Sequence, residues 1–115
     1  MNDQLRDRHC RHIEKDSAPL ADEAARELLA QLHDDWQYAA EHARIHREFR
    51  FKNFYETMAF VNALAWIAHR EDHHPDLDVA YNHCGVTYHT HAADGLTEND
   101  FICAAHIDAL QAGAD

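Results

Sequence analysis

The chain has 115 residues, enough for one compact domain, and 46% of them are apolar, so a real core is expected. Ten basic residues against twenty-one acidic ones give a net charge of −11, which argues against binding nucleic-acid phosphates or an anionic membrane. Three glycines are too few for a glycine-rich phosphate loop. Twelve histidines are the unusual feature, and they favour proton transfer or metal binding.

The N-terminal segment is polar and charged and lacks apolar periodicity. It predicts a flexible charged arm over residues 1–18 and a single folded domain over residues 19–115. His9, Cys10 and His12 include metal-ligand types, but such residues at a loose terminus more often have no function.

Three cysteines, Cys10, Cys84 and Cys103, show no paired spacing, which indicates reduced thiols in a cytoplasmic protein. The first thirty residues contain no apolar stretch long enough for a signal peptide or a membrane span. We therefore expect no targeting segment and no membrane partner.

The first half of the chain predicts one helix and a hairpin. Apolar residues at helical spacing indicate a helix over residues 20–33. Alternating residues predict strands over Trp36–Ala40 and Arg44–Phe51, joined by a turn near Glu41–Ala43.

The longest helix is expected to follow. Asn53 and Glu56 have the spacing of an N-cap and its reciprocal partner, so the helix begins there. It must end near Arg70–Asp72, because the residue before Pro75 is biased away from helical geometry. Trp66 lies off the apolar stripe and is expected to face a second surface.

The last third predicts two strands and a helix. Asp76–Asp78 is expected to be an acidic loop, followed by strands over Val79–Asn82 and Gly85–His91 and a helix over Glu98–Gln111, with Gly113 just past its end. The element order favours an α+β fold, a four-stranded antiparallel sheet with about three helices packed on one face.

The densest group of chemically active residues begins where the long helix ends, at His69 and the run His73-His74-Pro75. The turn forced by the proline can hold two adjacent imidazoles on a rigid support. His91, at the end of a predicted strand, approaches them only if that strand runs back past the helix end. Asp100 opens the last helix close by. Three histidines and a carboxylate around one pocket suit general acid–base chemistry near neutral pH.

The same residues resemble the signature of the pterin-4a-carbinolamine dehydratases. That signature reads acidic-or-His, three residues, His-His-Pro, five residues, an aromatic, nine residues, His, at least eight residues, Asp. His69, His73-His74-Pro75, Tyr81, His91 and Asp100 match every position with this spacing. The similarity covers about residues 20–110. It also includes Trp36, the run Phe51-Lys52-Asn53-Phe54 and the run Gly95-Leu96-Thr97.

The resemblance implies a hydro-lyase that removes water from 4a-hydroxytetrahydrobiopterin to give quinonoid dihydrobiopterin, with no metal and no organic cofactor. Such an enzyme recycles the pterin cofactor of aromatic amino acid hydroxylases, which links it to phenylalanine hydroxylase. By residue match, His73 and His91 are the candidates for proton transfer, and His74 orients the substrate or shares that task. His69, Pro75 and Asp100 are the candidates for binding the substrate. The resemblance also implies a homodimer or homotetramer.

The sequence departs from the family pattern in two places. His69 stands where glutamate is common, so it cannot supply a negative charge there. Leu77 and Asp78 stand where animal members often carry aromatic residues, which leaves pterin stacking at that edge in question.

Three other interpretations stay open from the sequence. Thr97 and Asp100 form a capping box by themselves, so Asp100 has a structural reason to be there. His89 and His91 lie two apart on one strand face and would hold zinc together with His73 or His74, although no acidic or thiol ligand has matching spacing. Finally, a relative without catalytic activity would serve as a protein-binding module, as a RuBisCO assembly factor or a transcriptional coactivator does.

Overall fold

Four antiparallel strands form one sheet in the computed structural model, which describes residues 4–112. The strands are β1 (Gln37–Ala39), β2 (Arg44–Arg50), β3 (Asp76–Val79) and β4 (His83–Tyr88), and their order in the sheet is β1-β2-β4-β3. The register pairs Ile45 with Tyr88 and Phe49 with Cys84. Because side chains alternate along a strand, these four buried residues lie on one face of the sheet.

Three helices complete the fold: α1 (Asp22–Leu29), α2 (Phe54–Glu71) and α3 (Glu98–Ala112). Their buried side chains share one apolar cluster with the inner face of the sheet. The predicted α+β architecture is therefore confirmed. Among residues 4–112, none of the helices is both long and apolar enough to cross a membrane. Gly113 and residues 1–3 of the predicted arm lie outside the described residues.

The long helix begins as predicted, because the Asn53 side chain accepts a hydrogen bond of 2.9 Å from the backbone N–H of Glu56. It ends at Asp72, which adopts a left-handed conformation with φ of 53°. The next N–H, that of His73, then donates to the carbonyl of Ala68 at 3.1 Å. This termination fixes the direction in which His73 and His74 leave the helix.

The predicted bounds of β3 and β4 are wrong. Asp76–Val79 is a strand, not a loop, and it pairs with β4 at the exposed edge of the sheet, where outward-pointing carboxylates are tolerated. β4 ends at Tyr88 rather than at His91, because Thr90 instead pairs with Gly95 and residues His91–Ala93 form a 3-10 turn.

Helix α1 is also shorter than predicted. The backbone N–H of Leu20 donates to the carbonyl of Leu96, which holds the chain before the helix extended. Beyond Leu29, the N–H groups of Gln31 and Leu32 bond three residues back, so the last turn tightens instead of continuing the helix.

The segment predicted as an arm packs on the domain over its described part. Leu5 is 3% exposed, and its short 3-10 helix, Leu5–Asp7, lies against α3. Arg8 pairs with Glu98 at 3.0 Å, and Arg11 is bonded to Asn99 through its backbone. The sequence missed these contacts because one leucine among charged residues carries no periodic signal.

Candidate active site

His73 is the most firmly held histidine of the predicted set. Its Nε2 lies 2.6 Å from Oδ1 of Asp100, and its ring stacks on Tyr88 with centroids 5.6 Å apart and an interplanar angle of 12°. An Nε2–H that donates to the carboxylate leaves Nδ1 as the free acceptor of the neutral ring. His73 is therefore oriented to accept a proton at Nδ1.

Asp100 is fully buried at the start of α3. Its Oδ2 accepts hydrogen bonds from the Thr90 hydroxyl at 2.7 Å and from the backbone N–H of Thr97 at 3.0 Å. The Thr97 hydroxyl lies 2.9 Å from that of Thr90. The carboxylate is therefore a helix cap, as one of the open interpretations held, and at the same time the partner of His73.

His74 follows with a different environment, since its side chain is exposed. Its Nδ1 lies 3.3 Å from the carbonyl oxygen of Pro75, so an N–H there donates and Nε2 is the free acceptor. The two neighbouring imidazoles thus present different nitrogens, as expected of a turn set by the proline.

His91 begins the 3-10 turn after β4 and is exposed. Its ring meets that of His89 edge to face, with centroids 5.3 Å apart. His89 is oriented in turn by the carbonyl oxygen of Ala43, 3.0 Å from its Nδ1. The ring of His91 therefore has an aromatic neighbour but no hydrogen-bond partner within residues 4–112.

These histidines line one cavity of about 440 Å³, a volume typical of small-molecule sites. Two of them, His73 and His74, lie in the connection between α2 and β3. The other two, His89 and His91, follow the end of β4. Two larger cavities, of about 570 and 700 Å³, contain one histidine and none respectively, so they lack this chemistry. The structure thus brings together the three histidines predicted to be catalytic.

The residues predicted to bind substrate are placed differently. Asp100 and Pro75 are buried and do not line the cavity, and Asp100 reaches it only through His73. His69 is exposed in the last turn of α2, also outside the cavity lining. Tyr81 is 64% exposed. Direct contact of these side chains with a ligand in the cavity stays a prediction.

One wall of the cavity was missed by sequence reasoning. It is formed by four consecutive residues of the N-terminal segment, Cys10 to Ile13. This wall is attached to the end of α2, because the backbone N–H of Cys10 donates to Oε1 of Glu71 at 2.7 Å and His9 lies 2.8 Å from Oε2. A polar, aperiodic stretch gives no sequence signal for such a role.

Glu71 anchors this wall as a buried carboxylate. Burial alone would raise its pKa, but the hydrogen bonds from the Cys10 N–H, His9 and Arg70 outweigh it and lower the pKa to about 2. Glu71 is therefore charged at neutral pH and is held by three donors.

One cluster of metal-ligand residue types lies where the N-terminal segment meets α2. Among the described residues, ligand atoms of His9, Glu71 and His106 lie within 4.8 Å of one another. However, Nε2 of His106 bonds to the carbonyl of Arg8, and the Arg70 guanidinium contacts both His106 and Glu71. A cation would have to displace Arg70, so these contacts are better explained as attachment of the N-terminal segment.

Comparisons with known proteins agree with the geometry. The sequence profile of the family described as pterin 4 alpha carbinolamine dehydratase matches residues 18–110. A Nitrosomonas eutropha protein, provisionally named a pterin-4-alpha-carbinolamine dehydratase, is 58% identical over 106 residues, which is 92% of each chain. A Legionella pneumophila protein with the same provisional name is 54% identical over 110 residues, covering 96% of this chain and 97% of the relative.

Two solved structures share the fold. A transcriptional coactivator/pterin dehydratase from Brucella melitensis has a TM-score of 0.75 and 36% identity, covering 80% of this chain and 97% of that one. A pterin dehydratase-like protein identified as a RuBisCO assembly factor of the alpha-carboxysome has a TM-score of 0.59 and 26% identity, covering 68% and 90%. With its histidine cavity and these relatives, the chain belongs to the pterin 4 alpha carbinolamine dehydratase family.

Proposed function

We propose that this protein is a cytoplasmic hydro-lyase that dehydrates 4a-hydroxytetrahydrobiopterin to quinonoid dihydrobiopterin. The observation that carries the proposal is the convergence of His73, His74 and His91 on one cavity in a member of this family. Imidazoles supply both a proton donor and a proton acceptor near neutral pH, which is what an elimination of water requires. The product returns to the cofactor cycle of aromatic amino acid hydroxylases such as phenylalanine hydroxylase.

The reaction removes a proton from N5 of the pterin and delivers one to the hydroxyl on C4a. The N5–H electron pair becomes the N5–C4a double bond, the C4a–O bond breaks, and the hydroxyl leaves as water. We assign the base to His73, because its Nδ1 is free while Asp100, at Nε2, stabilises the imidazolium that forms. His91 is the matching donor to the leaving hydroxyl, and Nε2 of His74 is free to orient the ring.

The test is a dehydration assay on chemically generated 4a-hydroxytetrahydropterin. We expect the native chain to exceed the uncatalysed rate and His73→Ala and His91→Ala to lose most of that excess. His83→Ala is the matched control, because His83 lies at the far end of β4 and, among the described residues, its side chain bonds only to the neighbouring Asn82. A native rate equal to the uncatalysed one would refute the proposal.

The rival function is a protein-binding module without turnover. It is favoured by the two structural neighbours, one described as a coactivator as well as a dehydratase and the other as an assembly factor. Large apolar side chains are also exposed: Tyr55, Trp66, Leu77, Val79 and Tyr81. If the native chain shows no turnover in the dehydration assay, this function replaces the first.

Exposed apolar side chains also support a homodimer or homotetramer, the assembly that the family resemblance implies. Trp66 is 60% exposed on α2, and β3 forms an open sheet edge with all four residues exposed. Light scattering after size exclusion tests this proposal, and a monomer at micromolar concentration would refute it.

A further inference from the structure

Two of the three cysteines lie in direct contact beside the cavity. The Sγ atoms of Cys10 and Cys103 are 3.4 Å apart, although 93 positions separate them in the chain. Both are free thiols in the structure, as is the buried Cys84. We propose that Cys10 and Cys103 are a redox pair that closes to an intrachain disulfide and fastens the N-terminal wall of the cavity to α3.

The backbone on each side of the Cys10–Cys103 contact is held in place by other parts of the fold. The backbone N–H of Cys10 is held by Glu71, and the next residue, Arg11, exchanges two hydrogen bonds with the Asn99 side chain, at 3.1 and 2.7 Å. Cys103 is fixed by its place inside α3. Since a disulfide bond is about 2.05 Å long, the two sulfurs need to approach by roughly 1.4 Å. Closure of the disulfide requires that rotation of the two side chains about their Cα–Cβ bonds supplies this approach.

The difference in exposure between the two cysteines determines which of them reacts first with an oxidant. Cys10 is half-buried and lines the cavity, whereas Cys103 is buried. With a small disulfide such as oxidised glutathione as oxidant, the Cys10 thiolate attacks one sulfur, forms a mixed disulfide and releases one thiol. The Cys103 thiolate then attacks Sγ of Cys10 and releases the second thiol. Two protein thiols are oxidised, and one glutathione disulfide is reduced to two glutathione thiols, which take up the two protons that the protein thiols lose.

The surroundings make this reaction slow at neutral pH. The hydrogen bond with Cys103, burial and the nearby Glu71 carboxylate all raise the pKa of Cys10, so little thiolate is present. The rate should therefore increase as the pH rises. The pair is suited to holding a bond for long periods rather than to rapid sensing of peroxide.

Closure has a local consequence for the cavity. The residues that follow Cys10, namely Arg11, His12 and Ile13, form its N-terminal wall. On the other side, the Cys103 thiol donates to the carbonyl of His73 at 3.8 Å. The disulfide would tie this wall to the helix that also carries Asp100. The inference is independent of the dehydratase proposal, because bond formation is read without any pterin.

The experiment uses the full chain incubated with oxidised glutathione at pH 8, followed by alkylation and intact-mass and peptide analysis. The expected product has lost two hydrogens, carries one disulfide between the Cys10 and Cys103 peptides, and leaves Cys84 alkylated. Cys84→Ser should behave like the native chain. Cys103→Ser should stop at a glutathione adduct on Cys10, and Cys10→Ser should form no disulfide.

A second readout guards against chance oxidation of unfolded chains. The oxidised protein should melt several degrees above the reduced one, and dithiothreitol should reverse the shift, because the bond closes a long loop of the chain. A stable glutathione adduct on native Cys10, a bond that includes Cys84, or an oxidised form that melts at or below the reduced one would overturn the proposal.

Discussion

His73 and His91 face the same cavity from very different supports. His73 is bonded to a buried carboxylate, stacked on Tyr88 and placed by the left-handed end of α2. His91 is exposed on a short 3-10 turn, with an edge contact to His89. The fold therefore orients the imidazole of His73 before any ligand binds, whereas the orientation of His91 depends on the groups that bind beside it.

The two histidines differ in how firmly the protein orients them, and each arrangement suits a different step of proton transfer. A group that is already oriented by hydrogen bonds does not need to be reoriented during the reaction, whereas an exposed group without such bonds is free to adjust to a ligand that changes shape. If His73 takes the proton from N5 and His91 protonates the leaving hydroxyl, the rigid group faces the ring and the adaptable one faces the departing water.

The largest expected effects come from removing each histidine. Both His73→Ala and His91→Ala should lower the dehydration rate by about 10²- to 10⁴-fold, the usual value of a general acid or base. Their stabilities should differ, since His73→Ala leaves the buried Asp100 without its partner and costs about 2–3 kcal/mol. His91→Ala should stay within about 0.5 kcal/mol of the native chain. Urea unfolding measures this, and equal losses would break the comparison.

The next effect concerns the carboxylate behind His73. Asp100→Asn keeps the shape but removes the charge that stabilises the imidazolium, so we expect a rate about 10- to 100-fold lower. Combined with His73→Ala it should add little, because both changes disable the same pair. Combined with His91→Ala, the two losses should multiply. Steady-state kinetics of the double variants decides between these patterns, and multiplication in both pairs would show that Asp100 acts apart from His73.

A smaller effect tests the wall attached by Glu71. Its pKa is lowered to about 2 in the folded chain, so its contribution to stability is present above its unfolded pKa of roughly 4.3 and is lost as the pH falls through the folded value. Glu71→Gln should therefore cost on the order of 2–3 kcal/mol at pH 7 and remove part of the stability loss between about pH 5 and 2. Unfolding free energies measured across that range provide the check. Identical pH slopes for the two proteins would contradict this account of Glu71.

The smallest effect is expected at His69. This residue is exposed on α2 and outside the cavity lining, so His69→Ala should change stability by less than about 0.5 kcal/mol. The sequence resemblance predicts substrate contact, which would appear as a raised KM. An unchanged KM would confine the site to the residues that line the cavity, and a raised KM would show that the cavity extends to this turn of α2.

The fold was largely predictable because its signals are local. Helix caps such as Asn53, the alternation along β2 and the stop imposed by Pro75 each depend on neighbouring residues. The errors occurred where partners decide. Asp76–Val79 is a strand because it pairs with β4, and β4 stops at Tyr88 because Thr90 pairs with Gly95 instead.

The candidate site likewise contains residues that local sequence spacing predicts and residues that only distant contacts place. The spacing of His73, His74 and His91 identified residues that the structure brings to one cavity. The Cys10–Ile13 wall had no such signal, because its position depends on hydrogen bonds to Glu71 and Asn99 that lie far away in the chain. The role of Thr90 was equally hidden, since a threonine after a strand is common and only the fold places it on Asp100.

Helix α3 belongs both to the candidate site and to the hydrophobic core. Its first turn holds the carboxylate that steers His73, while Phe101, Ile102, Ala104 and Ile107, immediately behind, are almost wholly enclosed in the protein interior. A substitution that merely tilts this helix would shift His73, the proposed proton acceptor, without touching it. Under the proposed function, interior variants of α3 would lose turnover at temperatures where the chain is still folded, so the interior and the proposed chemistry could not be altered separately.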